Sequence, residues 1–206
     1  MKIDPKTNSE NAKKSVLIVG AMEDEIQGLI EKEGYSVVYT GIGKINAAHH
    51  LTKALIERRA RGETVELVLN FGTAGSSVFP RHSLVECTTF VQRDMDVSAI
   101  GFALGETPLD PLPRELKVPR RFSELAEGVC GTGDNFETGK PKVVCTVVDM
   151  EGYALAKVCA LEKTNFASIK YISDGSDETA AGDWAESLPK AASKFVELLA
   201  KLNAAP

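Results

Sequence analysis

At 206 residues, 43% hydrophobic and 26% charged, the chain has the composition of an ordinary globular domain with room for one sizeable core, which excludes a disordered chain. Its net charge of -5, with no Lys/Arg cluster interleaved with aromatics, lacks the electrostatic footprint of nucleic-acid binding. No apolar stretch nears the ~18 residues of a membrane span, and the start MKIDPKTNSENAKK has no apolar signal core, so a cytoplasmic protein without nucleic-acid or membrane partners is expected.

Residues 1–14 form a polar leader, and 15–206 read as a single domain. Its first element is SVLIVG (15–20), a β-branched apolar run closed by glycine, the pattern of a strand buried on both faces. A segment of helical period follows at Met22, Ile26, Leu29 and Ile30. Then come the strand YSVVYTG, a helix marked by Ala48, Leu51, Leu55 and Ile56, and the strands VELVLNFG and HSLVECTTFVQ. The stretch Gly101 to Phe122 carries four prolines and is expected as a surface loop over a site or a partner subunit, with Pro108 to Pro119 either a lid or a docked interface element. The run VVCTVVDM, a helix at Ala154, Val158 and Leu161, and the strand ASIKYISD complete the alternation. A closing helix has one apolar stripe at Trp184, Leu188, Ala191, Phe195, Leu198 and Leu202. Alternating strands and helices predict a three-layer αβα sandwich with a central mixed, mostly parallel sheet.

Four separated cysteines, Cys87, Cys130, Cys145 and Cys159, read as reduced, buried thiols. With only His49, His50 and His82 as histidines, no metal site is expected. In open α/β sheets ligands gather beyond the C-terminal ends of strands, which singles out three acids. Glu25 follows the first strand at the edge of the apolar stripe, where a helix N-terminus favours the anion that a general base requires; helix-start acidity is the plainer explanation. Glu151 occupies the equivalent turn after VVDM and is expected ionised, as a ligand for vicinal hydroxyls or as an ordinary cap. Asp174 ends ASIKYIS, where desolvation would let it donate a proton, although Asp is also a common turn residue. Together the three suit glycosidic-bond cleavage. The glycines Gly41, Gly43, Gly72 and Gly75 belong to neither a dinucleotide nor a phosphate-loop motif, and Phe136 follows a Gly-rich turn where it could stack on a flat ring.

Seven stretches, GAMEDEI, TGIGKINAA, NFGTAGS, DMDVSAIGF, GTGDNF, VVDMEGYALAKVC and YISDGSD, run in order over about residues 15 to 177. In that order they resemble the nucleoside phosphorylase and nucleosidase superfamily, most closely the 5′-methylthioadenosine/S-adenosylhomocysteine nucleosidases. The resemblance implies a nucleoside phosphorylase-like fold, a homodimer, no cofactor, and hydrolysis of a purine nucleoside to release adenine. By position it implies that Glu25 activates water and Asp174 protonates the leaving base at N7. Glu151 would hold the ribose hydroxyls, Met150 would pack on the sugar, Phe136 would stack on the purine, and Thr73, Ala74 and Gly75 would line the pocket. Val97, Ile100 and Phe102 would reach a neighbouring subunit's 5′ pocket. The sequence departs from the pattern in a shorter, proline-rich segment before GTGDNF, in the polar Glu137 and in Asp149, which stands for a longer acid. An acidic first turn and the absence of arginine from NFGTAGSS favour water over phosphate, with Arg81 following Phe79 and Pro80. The alternatives are a phosphorylase, a nucleosidase of the futalosine type, or a non-catalytic nucleoside-binding protein.

Overall fold

The computed structural model describes residues 13–204, so the leader lies outside the described residues except for Lys13 and Lys14. Strand β1 (Val16–Gly20) shows why a fully apolar run becomes a central strand: successive side chains point to opposite faces, and both faces are covered. Leu17 and Val19 join one apolar cluster, and Ile18 joins the other. The long strands β3 (Leu67–Gly75) and β8 (Asn165–Asp174) divide in the same way. Val68, Phe166 and Ile172 pack towards helices α3 (Lys44–Ala60) and α4 (Gly152–Glu162); Leu69, Phe71, Ile169 and Tyr171 pack towards α5 (Ala180–Ala204). Phe195 of α5 stacks on Phe71, with ring centroids 4.4 Å apart, a pairing worth about 0.5–1.5 kcal/mol beyond its burial.

The remaining strands are β2 (Ser36–Tyr39), β4 (Leu84–Gln92), β5 (Leu116–Lys117), β6 (Ala126–Thr132) and β7 (Val147–Asp149). The sheet has eight strands in the order β2-β1-β3-β7-β6-β4-β5, with β8 paired to both β3 and β4. Pairings are parallel for β1 with β2 and β3, β3 with β8, β4 with β6, and β6 with β7. They are antiparallel for β4 with β5 and β8, and for β3 with β7. The mixed, mostly parallel sheet between helical layers is the architecture expected. Its curvature was not: β3, β8, β4, β6 and β7 close into a ring through the single pair Gly75–Val148. The C-terminal ends of β3 and β7 meet there, and that junction positions the site.

Several local expectations are corrected. The helical pattern from Met22 to Ile30 is two single turns, α1 (Glu23–Ile26) and α2 (Leu29–Lys32), because Gln27 and Gly28 between them are both left-handed, at φ 55° and 65°. Strand β6 was not read from the sequence, since AEGVCGT carries two glycines and a glutamate near its start. VVCTVVDM yields only the three residues of β7, with Val144 exposed. The proline-rich stretch is not all surface. Its β5 pairs with β4, and Leu116 and Phe122 are buried, one in each apolar cluster. Ile56 and Leu161, assigned to apolar stripes, are more than half exposed. Cys87, Cys130 and Cys159 are free and buried, but Cys145 is only half-buried; burial pushes the Cys159 thiol up to about 12. Among the described residues no helix is long and apolar enough to cross a membrane.

Candidate active site

The first acid, Glu25, is buried, and its surroundings explain its orientation better than the helix does. A single-turn helix supplies little dipole, so the expectation of an anion stabilised by a helix N-terminus is replaced by specific donors. Glu25 Oε1 accepts from the backbone N–H of Thr73 at 2.8 Å and from Thr73 Oγ1 at 2.7 Å. Its Oε2 accepts from the Met22 N–H at 3.3 Å.

Asp174 ends β8 and is buried beside Gly75 of β3. Ser176 N–H donates to Oδ1 at 2.9 Å, and Ser173 Oγ donates to Oδ2 at 2.7 Å. A Cβ at position 75 would stand 2.6 Å from Asp174 Oδ1, so glycine there is a condition of the close approach and not only a turn device. Thr73 and Gly75 are two residues apart on one strand, roughly 7 Å, which sets the two acids at neighbouring points of the same strand end.

Glu151 is the N-cap residue of α4, yet its side chain makes no capping bond. Its Oε1 instead accepts from the Gly43 N–H at 2.8 Å, where Gly43 takes φ 95°. The surroundings oppose the expectation that it stays ionised. Burial, reinforced by the Asp149 charge, pushes the Glu151 carboxyl up to about 8, against the pull of Lys170 and Gly43. Because the folded value lies above the unfolded 4.5, the folded state holds a proton that the unfolded chain has released. This contribution to stability is complete below about pH 4.5 and lost as pH rises through about 8. Denaturant melts from pH 5 to 9 should show that decline, and Glu151→Gln should flatten it; an equal slope in the variant would assign the effect elsewhere.

Beneath Glu151 lies an ion pair that the sequence reading missed. Lys170 of β8 reaches Asp149 Oδ2 at 2.8 Å, with both side chains essentially inaccessible. Asp149 also accepts from Thr132 Oγ1 at 2.6 Å and from the Gly152 N–H at 2.7 Å. Burial alone would raise the Asp149 carboxyl, but the Lys170 ammonium beside it holds it below the usual carboxylate range. Likewise burial alone would lower Lys170, and Asp149 holds it above its ordinary value. A lysine in the middle of ASIKYISD, all of whose residues are buried, was the available signal.

These groups open on one cavity of about 290 Å³, near the lower end of the roughly 300–1,000 Å³ typical of small-molecule sites. Glu25, Asp174, Glu151, Met150, Phe136, Thr73, Ala74 and Gly75 all line it. Val97, Ile100 and Phe102 do not: they lie in and around a 3-10 turn (Ser98–Ile100), where Ile100 is 69% exposed. The lining also includes Met22, Ile42, Arg93, Asn135, Glu137 and Trp184. Arg93 is committed to Glu137 at 3.0 Å and to Asn135 Oδ1 at 2.7 Å. Arg81, the arginine that follows NFGTAGSS in sequence, is not in the cavity lining; it pairs with Asp183 at 2.9 Å and donates to the Ser173 carbonyl at 3.3 Å.

Comparison with known proteins places these features in a group. The family model described as the phosphorylase superfamily matches residues 10–204. A 5′-methylthioadenosine/S-adenosylhomocysteine nucleosidase from Anoxybacillus flavithermus is 30% identical over 229 residues, covering 90% of this chain and 96% of that protein. The nucleosidase of that name from Colwellia psychrerythraea, solved in complex with adenine, superposes with a TM-score of 0.75 at 27% identity, covering 91% of this chain and 93% of its own. A futalosine hydrolase mutant from Helicobacter pylori superposes with a TM-score of 0.77 at 25% identity, covering 88% and 96%.

Proposed function

The chain belongs to the phosphorylase superfamily and, within it, to the 5′-methylthioadenosine/S-adenosylhomocysteine nucleosidases, and from that premise we propose that its cavity hydrolyses the N-glycosidic bond of such a nucleoside, releasing adenine. The observation that carries the reading is the placement of two buried carboxyls, Glu25 and Asp174, against neighbouring points of the β3 end, with Glu151 beside them. Phe136, 46% exposed at the same cavity, offers a face for a purine.

In this reading Asp174 gives a proton to N7 of the base as the C1′–N9 bond breaks and its electron pair leaves with adenine. The ribose develops positive charge, against which Glu151 is placed, and that charge favours the ionised form of its carboxyl. Glu25 takes a proton from water as the water oxygen bonds to C1′. Met150 packs on the sugar. Val97, Ile100 and Phe102, standing away from their own cavity, serve the 5′ pocket of a second copy, which makes the working unit a homodimer.

Water rather than phosphate as nucleophile is supported by the arginines. Arg93 and Arg81 are engaged by carboxylates, and Lys170 is spent on Asp149, so among the described residues a phosphate in the cavity would meet Glu25, Glu151 and Asp174 and an arginine already paired with Glu137. Free-base release should therefore be measured from methylthioadenosine, S-adenosylhomocysteine, adenosine, inosine and futalosine, each with and without phosphate. Adenine release from the first two at rates indifferent to phosphate is expected. Dependence on phosphate would move the protein to the phosphorylases, preference for futalosine would change the substrate, and silence on all five would leave a binding role.

A further inference from the structure

Trp184, the chain's single tryptophan, stands on α5 and lines the cavity, where an aromatic wall would suffice for packing. It does more than pack: its indole Nε1–H donates to Thr73 Oγ1 at 3.0 Å. The same hydroxyl donates to Glu25 Oε1 at 2.7 Å. An indole N–H can only donate, and a threonine hydroxyl has one proton. With Trp184 bound to Oγ1, that proton is directed to Glu25. Glu25 Oε1 then receives two donors, Thr73 Oγ1 and Thr73 N–H at 2.8 Å, which occupy both of its lone pairs. Among the described residues Oε2 has only the 3.3 Å contact from Met22.

We propose that Trp184 is a positioning residue for the general base: through Thr73 it saturates Oε1 of Glu25 and leaves Oε2 as the oxygen that takes the proton from the attacking water. The inference rests on the hydrolytic reading above. Lys170 is the other group able to orient this carboxylate. Its Nζ and Glu25 Oε1 lie 3.2 and 3.7 Å from where a Cβ on Gly72 would stand, but its ammonium is held by Asp149. The remaining acids of the turn, Glu23 and Asp24, are exposed, and Glu151, at the start of α4, has its Oε1 bound to the Gly43 N–H rather than to Glu25.

Trp184→Phe keeps the ring and removes the donor. It should lower kcat by about tenfold, equivalent to about 1.4 kcal/mol, with KM changed by less than about twofold, as expected when an interaction acts on the chemical step. Added to Thr73→Val, which removes the hydroxyl, Trp184→Phe should cost nothing further, and Thr73→Ser should retain activity. An unchanged kcat in Trp184→Phe, a change confined to KM, or the same penalty in both backgrounds would overturn the proposal. A second readout needs no turnover: the single indole N–H gives one NMR signal, which should move in Thr73→Val and again in Glu25→Gln. A signal indifferent to both variants overturns the relay even in an active enzyme, whereas wild-type protein that releases no base from any nucleoside overturns the hydrolytic reading and leaves the signal to judge the hydrogen-bond chain.

Discussion

Asp174→Asn is expected to reduce base release by about 10²–10⁴-fold, the range for loss of a positioned acid or base, while the protein folds as before. The structure explains why these outcomes separate. Asparagine keeps the shape and the Oδ1 that accepts the Ser176 N–H at 2.9 Å, and Ser173 Oγ can turn from donating to accepting where Oδ2 becomes an amide. What disappears is a carboxyl able to carry a proton to the departing base. Without that proton adenine leaves as an anion, a much poorer leaving group. Glu25→Gln should fall by a similar factor, since its amide oxygen can still take both Thr73 donors but can no longer accept a proton from water. Steady-state kinetics together with thermal melts test both. Turnover retained in Asp174→Asn removes the acid role, and a variant that loses activity and stability together would point to a structural effect.

The largest stability effect is expected at Lys170→Met. The substitution removes one member of an ion pair whose side chains are 1% and 0% exposed, leaving Asp149 in the interior without its counter-charge. Breaking such a pair from one side costs about 3–5 kcal/mol; for a domain of this size that corresponds to a fall in Tm of roughly 6–20 °C. The remaining donors to Asp149, Thr132 Oγ1 and the Gly152 N–H, soften the loss without neutralising the charge. Pairing Lys170→Met with Asp149→Asn should recover much of it, because the double variant buries no net charge. Urea melts of the two single variants and the double variant decide the matter. A Lys170→Met protein as stable as wild type would show that Asp149 accepts a proton at little cost.

Most of the strands were legible because burial on both faces writes itself locally, as in SVLIVG and ASIKYISD. Failures came where local pattern and tertiary context disagree. Met22 to Ile30 has a helical period, but two consecutive left-handed residues break it, and one of them is a glutamine, which gives no warning. β6 is a strand because β4 and β7 flank it, not because AEGVCGT favours one. The proline-rich stretch contributes Leu116 and Phe122 to the core only because β4 offers its edge.

For the site the division is similar. Which carboxyls stand at strand ends follows from the chain order, since a turn after an apolar run must bring its next residues to the sheet's edge, and Glu25, Glu151 and Asp174 could be picked out on that ground. Which atoms they meet does not follow. Glu25 is held by a residue 48 positions away, Glu151 by one 108 away, and Thr73 by Trp184 at 111. Pairing of β1 with β3 and packing of α5 on β3 bring Glu25 and Trp184 to Thr73, and closure of the strand ring at Gly75 and Val148 brings the β7 end to the same place. It also buries Glu151 beside Asp149, so its proton affinity depends on the low-dielectric junction rather than on its own short segment. The sequence by itself determined the alternating architecture and the acids available for chemistry. The tertiary structure alone decided their partners and their charge, because hydrogen bonding and desolvation act through space and have no period along the chain.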